Sequence, residues 1–427
     1  MSAVEIFPGH LHGDLTLPSS KSHTLRAFIF ATMADGISVI KNPLISSDSL
    51  AMLKACEQLG ASYTLQSNQC TIQGTQGILK PPDGVIDCGN SGITFRFLTA
   101  LCSLLSSYTV ITGDFSIRHQ RPIEPLLKAL RQLGVFAAKA GNNASAPVIL
   151  QGPIQSATAR VLGSDSQFVS ALLILGAFVD EGLEIFVDSP AELPWVDLTC
   201  SWLAQMGIAF ERQGYTYFKV FPQKKLQPFS YCVPGDLSSA AFSIVGALVT
   251  NSTITLHNID LADTQGDKHV IFLLKKMGAN FHYDPGLKSL TVYPSCLTGI
   301  DIDMDCCIDA LPILAVAGLF AKGRTRLYNA EGARHKESNR IFTIAQELKK
   351  MGANLEEKDD GLILYPSKLS SAHLTSHQDH RIVMALSIAC LSSSSSSMIE
   401  DMSAVEKSYP QFFEDMQRIG LKYRLCR

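Results

Sequence analysis

The stretch that decides the fold is IFLLKKMGANF, residues 271–281, because its LKKMGAN core returns at residues 348–354 inside IAQELKKMGANL. In both places apolar residues recur at i, i+3, i+4 and i+7, a glycine follows, and an extended apolar run comes straight after. That is the pattern of an amphipathic helix closed by a left-handed residue and leading directly into a strand. The same ending occurs in LKACEQLGASY, LLKALRQLGVFA, TCSWLAQMGIAF and FFEDMQRIGLKY, so corner glycines stand at Gly60, Gly134, Gly207, Gly278, Gly352 and Gly420. Their successive separations are 74, 73, 71, 74 and 68 residues. The chain reads as six copies of a unit of about 70 residues, too long for a helical solenoid repeat and long enough to bury a small core.

Ahead of each corner helix, every unit carries a second, more apolar helix with a polar head: PSSKS, GNSGI, GSDSQ, PGDLSS, DCCIDA and HQDHR. Serine, asparagine, aspartate and glycine suit helix N-caps and leave N–H groups pointing out of the helix start. Between the two helices lie strand-like runs: GISVIKN, YTVITGD, LEIFVDS, STITLHN, TRLYNAE and SMIEDMS. One unit is then helix, strand, helix, strand, strand. The six serines Ser392–Ser397 fall where other units turn from first helix to strand, and read as a solvated turn.

Composition bounds the function. The 427 residues are 46% hydrophobic and 18% charged, enough for a large core and for two domains or more. A formal net charge of -3 lacks the basic excess of a duplex-coating protein, so no nucleic-acid partner is expected and any anion site is local. The N-terminus lacks a basic segment followed by an apolar run, and the longest apolar run, residues 310–321, is too short to span a bilayer. No membrane association is expected. Eleven cysteines are scattered without a CxxC pair, the closest being the adjacent Cys306 and Cys307, and read as reduced core residues of a cytosolic protein. Cys88, in a glycine-rich loop, reads as a buried strand residue and not as a nucleophile. No GxxxxGK[ST] loop implies a nucleoside triphosphate, and neither His377 with His380 nor His10 with His12 has a metal framework around it.

If the units are equivalent, their polar heads gather on one side of the molecule, and cations cluster beside them. Lys21 and Arg26 stand in the first head, Arg96 in the second, Arg121 in the loop after it, Lys336 and Arg340 in a loop of the fifth unit, Arg381 in the sixth head and Lys407 in the following loop. Helix starts carry about half a positive charge and unsatisfied N–H donors, and arginine adds bidentate forks, so converging heads hold phosphate and carboxylate groups. The bland alternative is that each cation pairs with a carboxylate or lies in solvent. Two carboxylates compete with this field. Asp309 stands just inside the helix CCIDALPILA, where it is either an N-cap or a catalytic group; Glu337, in RHKESNR, either pairs locally or serves as acid or base.

Taken in order, KSHTLR, GNSGITFR, RPI, DSQF, GDLSSA, IDALPILA, KESNR, DHR and EKSYP resemble the EPSP synthases (3-phosphoshikimate 1-carboxyvinyltransferases) over nearly the whole chain. The resemblance implies an α/β fold: a two-domain inside-out α/β barrel of six βαβαββ repeats, three per domain, joined by two chain crossings. Residues 1–18 would join 235–427, residues 19–234 would form the other domain, and six helix starts would face the cleft between lobes that close on substrate. The implied reaction moves the enolpyruvyl group of phosphoenolpyruvate to the 5-hydroxyl of shikimate 3-phosphate, releasing phosphate, without metal or organic cofactor, in a cytoplasmic monomer.

By motif, Lys21, Ser22, Arg26, Ser166, Gln167, Asp309 and Lys336 correspond to ligands of shikimate 3-phosphate. Lys21, Asn90, Gly92, Arg121, Gln167, Arg340, Arg381 and Lys407 correspond to the phosphoenolpyruvate cradle, supported by Arg96. Asp309 would orient or deprotonate the 5-hydroxyl, Glu337 would carry the proton to and from the methylene carbon, and Lys21 would share in the proton transfers. The chain departs from the common pattern at Ile93, where threonine is usual, at Asp165, usually a serine beside the 3-phosphate, at Trp195, usually Tyr or Arg, and at Gly332, an asparagine in some members. A carboxylate at Asp165 would repel phosphate unless it turns away or Ser164 substitutes. Two other readings stay open: a UDP-N-acetylglucosamine enolpyruvyltransferase, which shares the unit and the donor but normally needs a loop cysteine, and a non-catalytic anion-binding relative.

Overall fold

The computed structural model describes residues 3–141, 145–223 and 225–426. The chain divides into two compact units, Met1–Pro18 with Pro234–Arg427, and Ser19–Val233. Among the described residues each unit holds three four-stranded sheets built to one plan. The second repeat shows it plainly. Strand Ile86–Asp87 pairs parallel with Thr109–Thr112, which pairs antiparallel with Val148–Gln151, which pairs antiparallel with the edge strand Phe136–Lys139. Helix Gly92–Leu101 connects the two parallel strands and helix Glu124–Gln132 precedes the edge strand, giving βαβαββ.

Three repeats borrow a strand from distant sequence. Ser230–Cys232 supplies the first strand of the first repeat, parallel to Ile37–Lys41. His12–Thr16 opens the fourth repeat beside Thr253–His257, with Leu15 opposite Leu256. Ala3–Phe7 closes the sixth, lying between Ser397–Glu400 and Lys422–Cys426, with Val4 opposite both Ile399 and Leu425. The first 18 residues therefore belong to the C-terminal half. None of the described sheets closes on itself, and the fold is a mixed α/β assembly.

Helices fill the middle of each unit. Leu311–Leu319, apolar all round, is buried at all nine positions as such a helix must be, and His380–Cys390 is buried at all eleven, its polar first turn included. The corner helices are amphipathic instead: Ser47–Gln58 buries half of its twelve residues. The strands alternate, Thr253–His257 burying Ile254 and Leu256 against the helices and turning Thr253 outward. Each unit has its own apolar core, one around Phe242, Leu314 and Leu386, the other around Phe28, Phe97 and Leu172.

The polar heads cap as expected in five of six repeats. Ser20, Ser91, Asp165, Asp236 and Asp379 each accept a backbone N–H of the first turn of their own helix. The fifth differs. Asp309 is neither inside the helix nor its cap: it sits in a 3-10 segment, Asp305–Ala310, broken by the non-helical Cys307 (φ −146°, ψ 45°), and Ala310 heads the helix without a side-chain cap. Two smaller expectations also change. Ser394 and Ser395 are exposed, but Ser393 is buried, donating to the Cys390 carbonyl at 2.8 Å, and Ser397 opens a strand. Of the eleven free cysteines, Cys232 and Cys296 are exposed and Cys306 and Cys426 half-buried, so core packing accounts for seven.

All six corner glycines have positive φ, from 71° at Gly207 to 113° at Gly420. A Cβ at Gly207 would meet nothing within 4 Å. Gly207→Ala therefore isolates the backbone cost, about 1–2 kcal/mol for a left-handed non-glycine residue, read as a lower urea midpoint. An unchanged midpoint would mean that this corner does not need its left-handed turn.

Candidate active site

Within the unit Ser19–Val233, the head of each central helix brings expected ligands into contact with partners that the sequence did not announce. Lys21 begins its helix and donates to Asp48 Oδ2 at 3.0 Å. Arg26, one turn on, is 2% exposed. Its Nε and Nη2 donate to Thr199 Oγ1 at 3.0 and 2.8 Å, its Nη1 to the Ser22 carbonyl at 3.1 Å, and its guanidinium lies 5.3 Å from the Phe97 ring centroid. Trp195 enters through its carbonyl, 3.5 Å from Arg26 Nη2. No carboxylate pairs with Arg26 among the described residues, and burial pushes its guanidinium down to about 9, still protonated at neutral pH. A buried cation held only by neutral oxygens is a strong candidate for an anionic ligand.

The second and third heads form one cluster. Arg96, fully buried, donates to Gln167 Oε1 at 2.7 Å and to the Pro122 carbonyl at 3.1 Å, and lies 5.1 Å from the Phe168 ring centroid. Arg121 is 3% exposed, with Nε 3.4 Å from Ser116 Oγ. A Cβ on Gly92 would stand 3.0 Å from Arg96 Nη1 and 3.2 Å from Arg121 Nη1, so a larger residue would push both guanidinium groups back from this helix start. Asn90 donates to Asp114 at 2.6 Å. The departure at Asp165 has a physical account: its Oδ1 caps its own helix on the Gln167 N–H at 2.9 Å, and its Oδ2 lies 3.1 Å from Arg96. The carboxylate is turned to an arginine. Ile93 packs against the core of this unit, and nothing in the structure explains Gly332.

In the other unit the chemistry-bearing residues converge on Arg340, which is 1% exposed and starts the helix Arg340–Lys350. Its Nη1 donates to Asp309 Oδ1 at 2.6 Å, its Nη2 to Glu337 Oε2, and its Nε to Asp379 Oδ2 at 2.8 Å. Asp379 also caps the sixth head and accepts from Ser338 Oγ at 3.0 Å. Arg381, two residues along, lies 3.3 Å from Asp309 Oδ2 and 3.7 Å from Asp267 Oδ2. Lys336 is buried, and Lys407 donates to the Gln378 carbonyl at 2.6 Å in the loop leading to the sixth head.

Charge explains the titration of this cluster. Burial raises Asp309, but Arg381, Lys336 and Arg340 outweigh it and hold the carboxyl well below the usual range. Burial opposes the charge of Arg340, while Asp379, Glu337 and Asp309 more than restore it. Asp267 is fully buried, and there burial wins over Arg381, with Asp309 adding repulsion, so its carboxyl is pushed up to about 6. Glu337, Asp379 and His380 bring ligand-type atoms within 4.8 Å of one another, yet the Arg340 guanidinium already lies on both carboxylates, which makes the group an arginine cage.

The sequence set two carboxylates, Asp309 and Glu337, among these cations, and the structure adds four more. Asp48, Asp165, Asp267 and Asp379 join Asp309 and Glu337 among these cations. Asp379 and Asp165 were legible as helix caps within the quoted heads. Asp48 and Asp267 lie in other helical turns, far from the cations in sequence, and had no local signal.

The comparisons point one way. The family model EPSP synthase (3-phosphoshikimate 1-carboxyvinyltransferase) matches residues 7–416. A 3-phosphoshikimate 1-carboxyvinyltransferase of Chlamydia caviae is 42% identical over 416 residues, covering 97% of this chain and 93% of that protein. One of Acetivibrio thermocellus is 39% identical, covering 97% of each. The solved structure of an EPSP synthase from Acinetobacter baumannii superposes with a TM-score of 0.81 at 29% identity, covering 100% of both chains. With the family model matching residues 7–416 and relatives about 40% identical over nearly their whole length, the chain belongs to the EPSP synthase family.

Proposed function

We propose that the chain is a 3-phosphoshikimate 1-carboxyvinyltransferase. It transfers the enolpyruvyl group of phosphoenolpyruvate to the 5-hydroxyl of shikimate 3-phosphate, giving 5-enolpyruvylshikimate 3-phosphate and phosphate, in the shikimate pathway to chorismate and the aromatic amino acids. The observation that carries this beyond family membership is the buried network in which Asp309 and Glu337 share Arg340 beside Arg381. An anion-binding protein needs carboxylates only to compensate its buried cations; an acid–base catalyst also uses them to move protons.

The proposed acceptor ligands are Lys21, Ser22, Arg26, Ser166, Gln167, Asp309 and Lys336. The proposed donor ligands are Lys21, Asn90, Gly92, Arg121, Gln167, Arg340, Arg381 and Lys407, with Arg96 positioning Gln167. In the reaction a protonated Glu337 gives its proton to C3 of the donor, and the acceptor oxygen attacks the resulting cation at C2 as Asp309 takes the hydroxyl proton. The tetrahedral intermediate then expels phosphate, which leaves as hydrogen phosphate with the proton Asp309 took from the hydroxyl, while C3 returns a proton to Glu337. Arginines and lysines stabilise the charge that develops on the leaving phosphate. Without substrate, Arg381, Lys336 and Arg340 outweigh burial and hold the Asp309 carboxyl below the usual range, which weakens it as a base. Donor phosphate and carboxylate groups compete for those guanidinium groups, which loosens their hold on Asp309 and raises its basicity as the site fills.

No helix among the described residues is long and apolar enough to cross a membrane. We place the enzyme in the cytoplasm as a monomer that needs no cofactor and binds no nucleic acid. Seven buried free thiols support the reducing compartment, and the net charge of -3 supports the absence of a nucleic-acid partner.

Phosphate release from phosphoenolpyruvate should require shikimate 3-phosphate; release with UDP-N-acetylglucosamine instead would overturn the assignment. Glu337→Gln should lower kcat by about 100-fold or more while leaving shikimate 3-phosphate affinity within a few-fold, whereas turnover near wild type would remove Glu337 from the proton path. Asp267 makes a pH prediction. Its folded pKa of about 6 lies above the ordinary aspartate value of 3.8, so the folded state holds the proton more tightly and this group's contribution to stability falls as pH rises from 4 to 7. Asp267→Asn should gain on wild type by about 1–3 kcal/mol across that window in paired denaturation curves. A difference that stays flat with pH would contradict the raised pKa.

A further inference from the structure

The head of the helix Ser166–Gly176 is already occupied by the chain's own carboxylates. Asp165 is the cap and is matched to Arg96, as described above. Glu192 takes what remains: its Oε2 accepts from Ser166 Oγ at 2.8 Å and from the Ser166 N–H at 3.3 Å. The pair is sealed, with Ser166 at 2% and Glu192 at 3% exposure.

The backbone delivers Glu192 to this place at some cost. Ser189 and Glu192 both adopt positive φ, 49° and 52°. Between them the Ala191 N–H donates to the Gly163 carbonyl at 3.0 Å, fixing the bend against the turn that leads into the Ser166 helix. Glu192 also stands at the N-cap position of the helix Leu193–Gln205, yet its side chain makes no capping bond there. Its carboxylate reaches across to a different helix and bonds a residue proposed as an acceptor ligand.

Two physical conflicts follow. Ser166 has one hydroxyl proton and cannot donate it to Glu192 and to a substrate phosphate at once. A phosphate placed on Ser166 would also stand beside a buried carboxylate of like charge.

We infer that Glu192 is an internal anion standing where the acceptor's phosphate binds Ser166, so that acceptor binding displaces it and Glu192 sets the affinity and the selectivity for a phosphorylated acceptor. This rests on the reading of Ser166 under Proposed function. Glu192→Gln removes the charge at constant shape, and Glu192→Ser removes the side chain.

Calorimetric titration of each protein with shikimate 3-phosphate and with unphosphorylated shikimate tests it. Both variants should bind the phosphorylated ligand about tenfold or more tightly, with the unphosphorylated ligand moving less than about threefold, so the ratio of the two affinities rises. A ratio that is unchanged or lower overturns the inference and makes Glu192 a positioning residue for Ser166. A readout free of substitution is the crystal structure of the wild-type protein with shikimate 3-phosphate bound. Ser166 Oγ should then lie on phosphate with Glu192 beyond hydrogen-bond reach; Glu192 still bonded to Ser166 overturns the inference. Wild-type phosphate release keeps the two readings apart, since its failure with shikimate 3-phosphate strikes the assigned reaction, and its success leaves Glu192 to be judged on affinity alone.

Discussion

Arg340, buried to 1% exposure and bonded to Asp309, Glu337 and Asp379, constrains the unit around it. A guanidinium removed from water needs hydrogen-bond acceptors around it, and where it is paired with buried opposite charge, breaking the pair costs about 3–5 kcal/mol. The neighbouring elements are shaped accordingly. Asp379 must both cap the sixth central helix and present its other oxygen to Arg340. The fifth head abandons the cap used by the others, because a 3-10 segment broken at Cys307 delivers Asp309 to Arg340, where an α-helical N-cap would turn it to its own backbone.

The same logic runs through the other unit at lower charge. Lys21 has Asp48 and Arg96 has Asp165. Arg26, by contrast, is left with Thr199 and backbone carbonyls. At rest, Lys21, Arg340 and Arg381 among the cations proposed as substrate ligands rest on internal carboxylates, so binding of an anionic substrate there is an exchange of partners. Exchange keeps the buried charge compensated before and after binding. It also couples binding to chemistry, because arginines drawn toward a substrate loosen their hold on Asp309.

Much of this was legible in the sequence, for identifiable reasons. The corner glycines exposed the sixfold repeat because a left-handed helix end followed by a strand leaves a strong local signature, and all six have positive φ. The central helices were legible from apolar runs that leave no solvent face, as at Leu311–Leu319. The cations, Asp309 and Glu337 were legible from their places in the heads. What escaped were long-range partners. Asp48 meets Lys21 across 27 residues and Glu192 meets Ser166 across 26, and neither spacing follows a helix or strand period. The borrowed strand Ser230–Cys232 escaped for the same reason, since nothing local in it names Ile37–Lys41 as its neighbour. The place of Asp309 was misread because a helical continuation is the default for CCIDALPILA, and the break at Cys307 arises in its tertiary setting.

The account's central claim is that protein carboxylates set among buried arginines pass a proton to C3 of the donor and take one back. Running the reaction in deuterium oxide and weighing the enolpyruvyl product by mass spectrometry tests it most directly. The account predicts deuterium in the product's methylene group, because the intermediate's methyl carries one solvent-derived hydrogen among three and loses only one. Product formed with an undeuterated methylene at full turnover would contradict it, since the group would then have been transferred without protonation at C3.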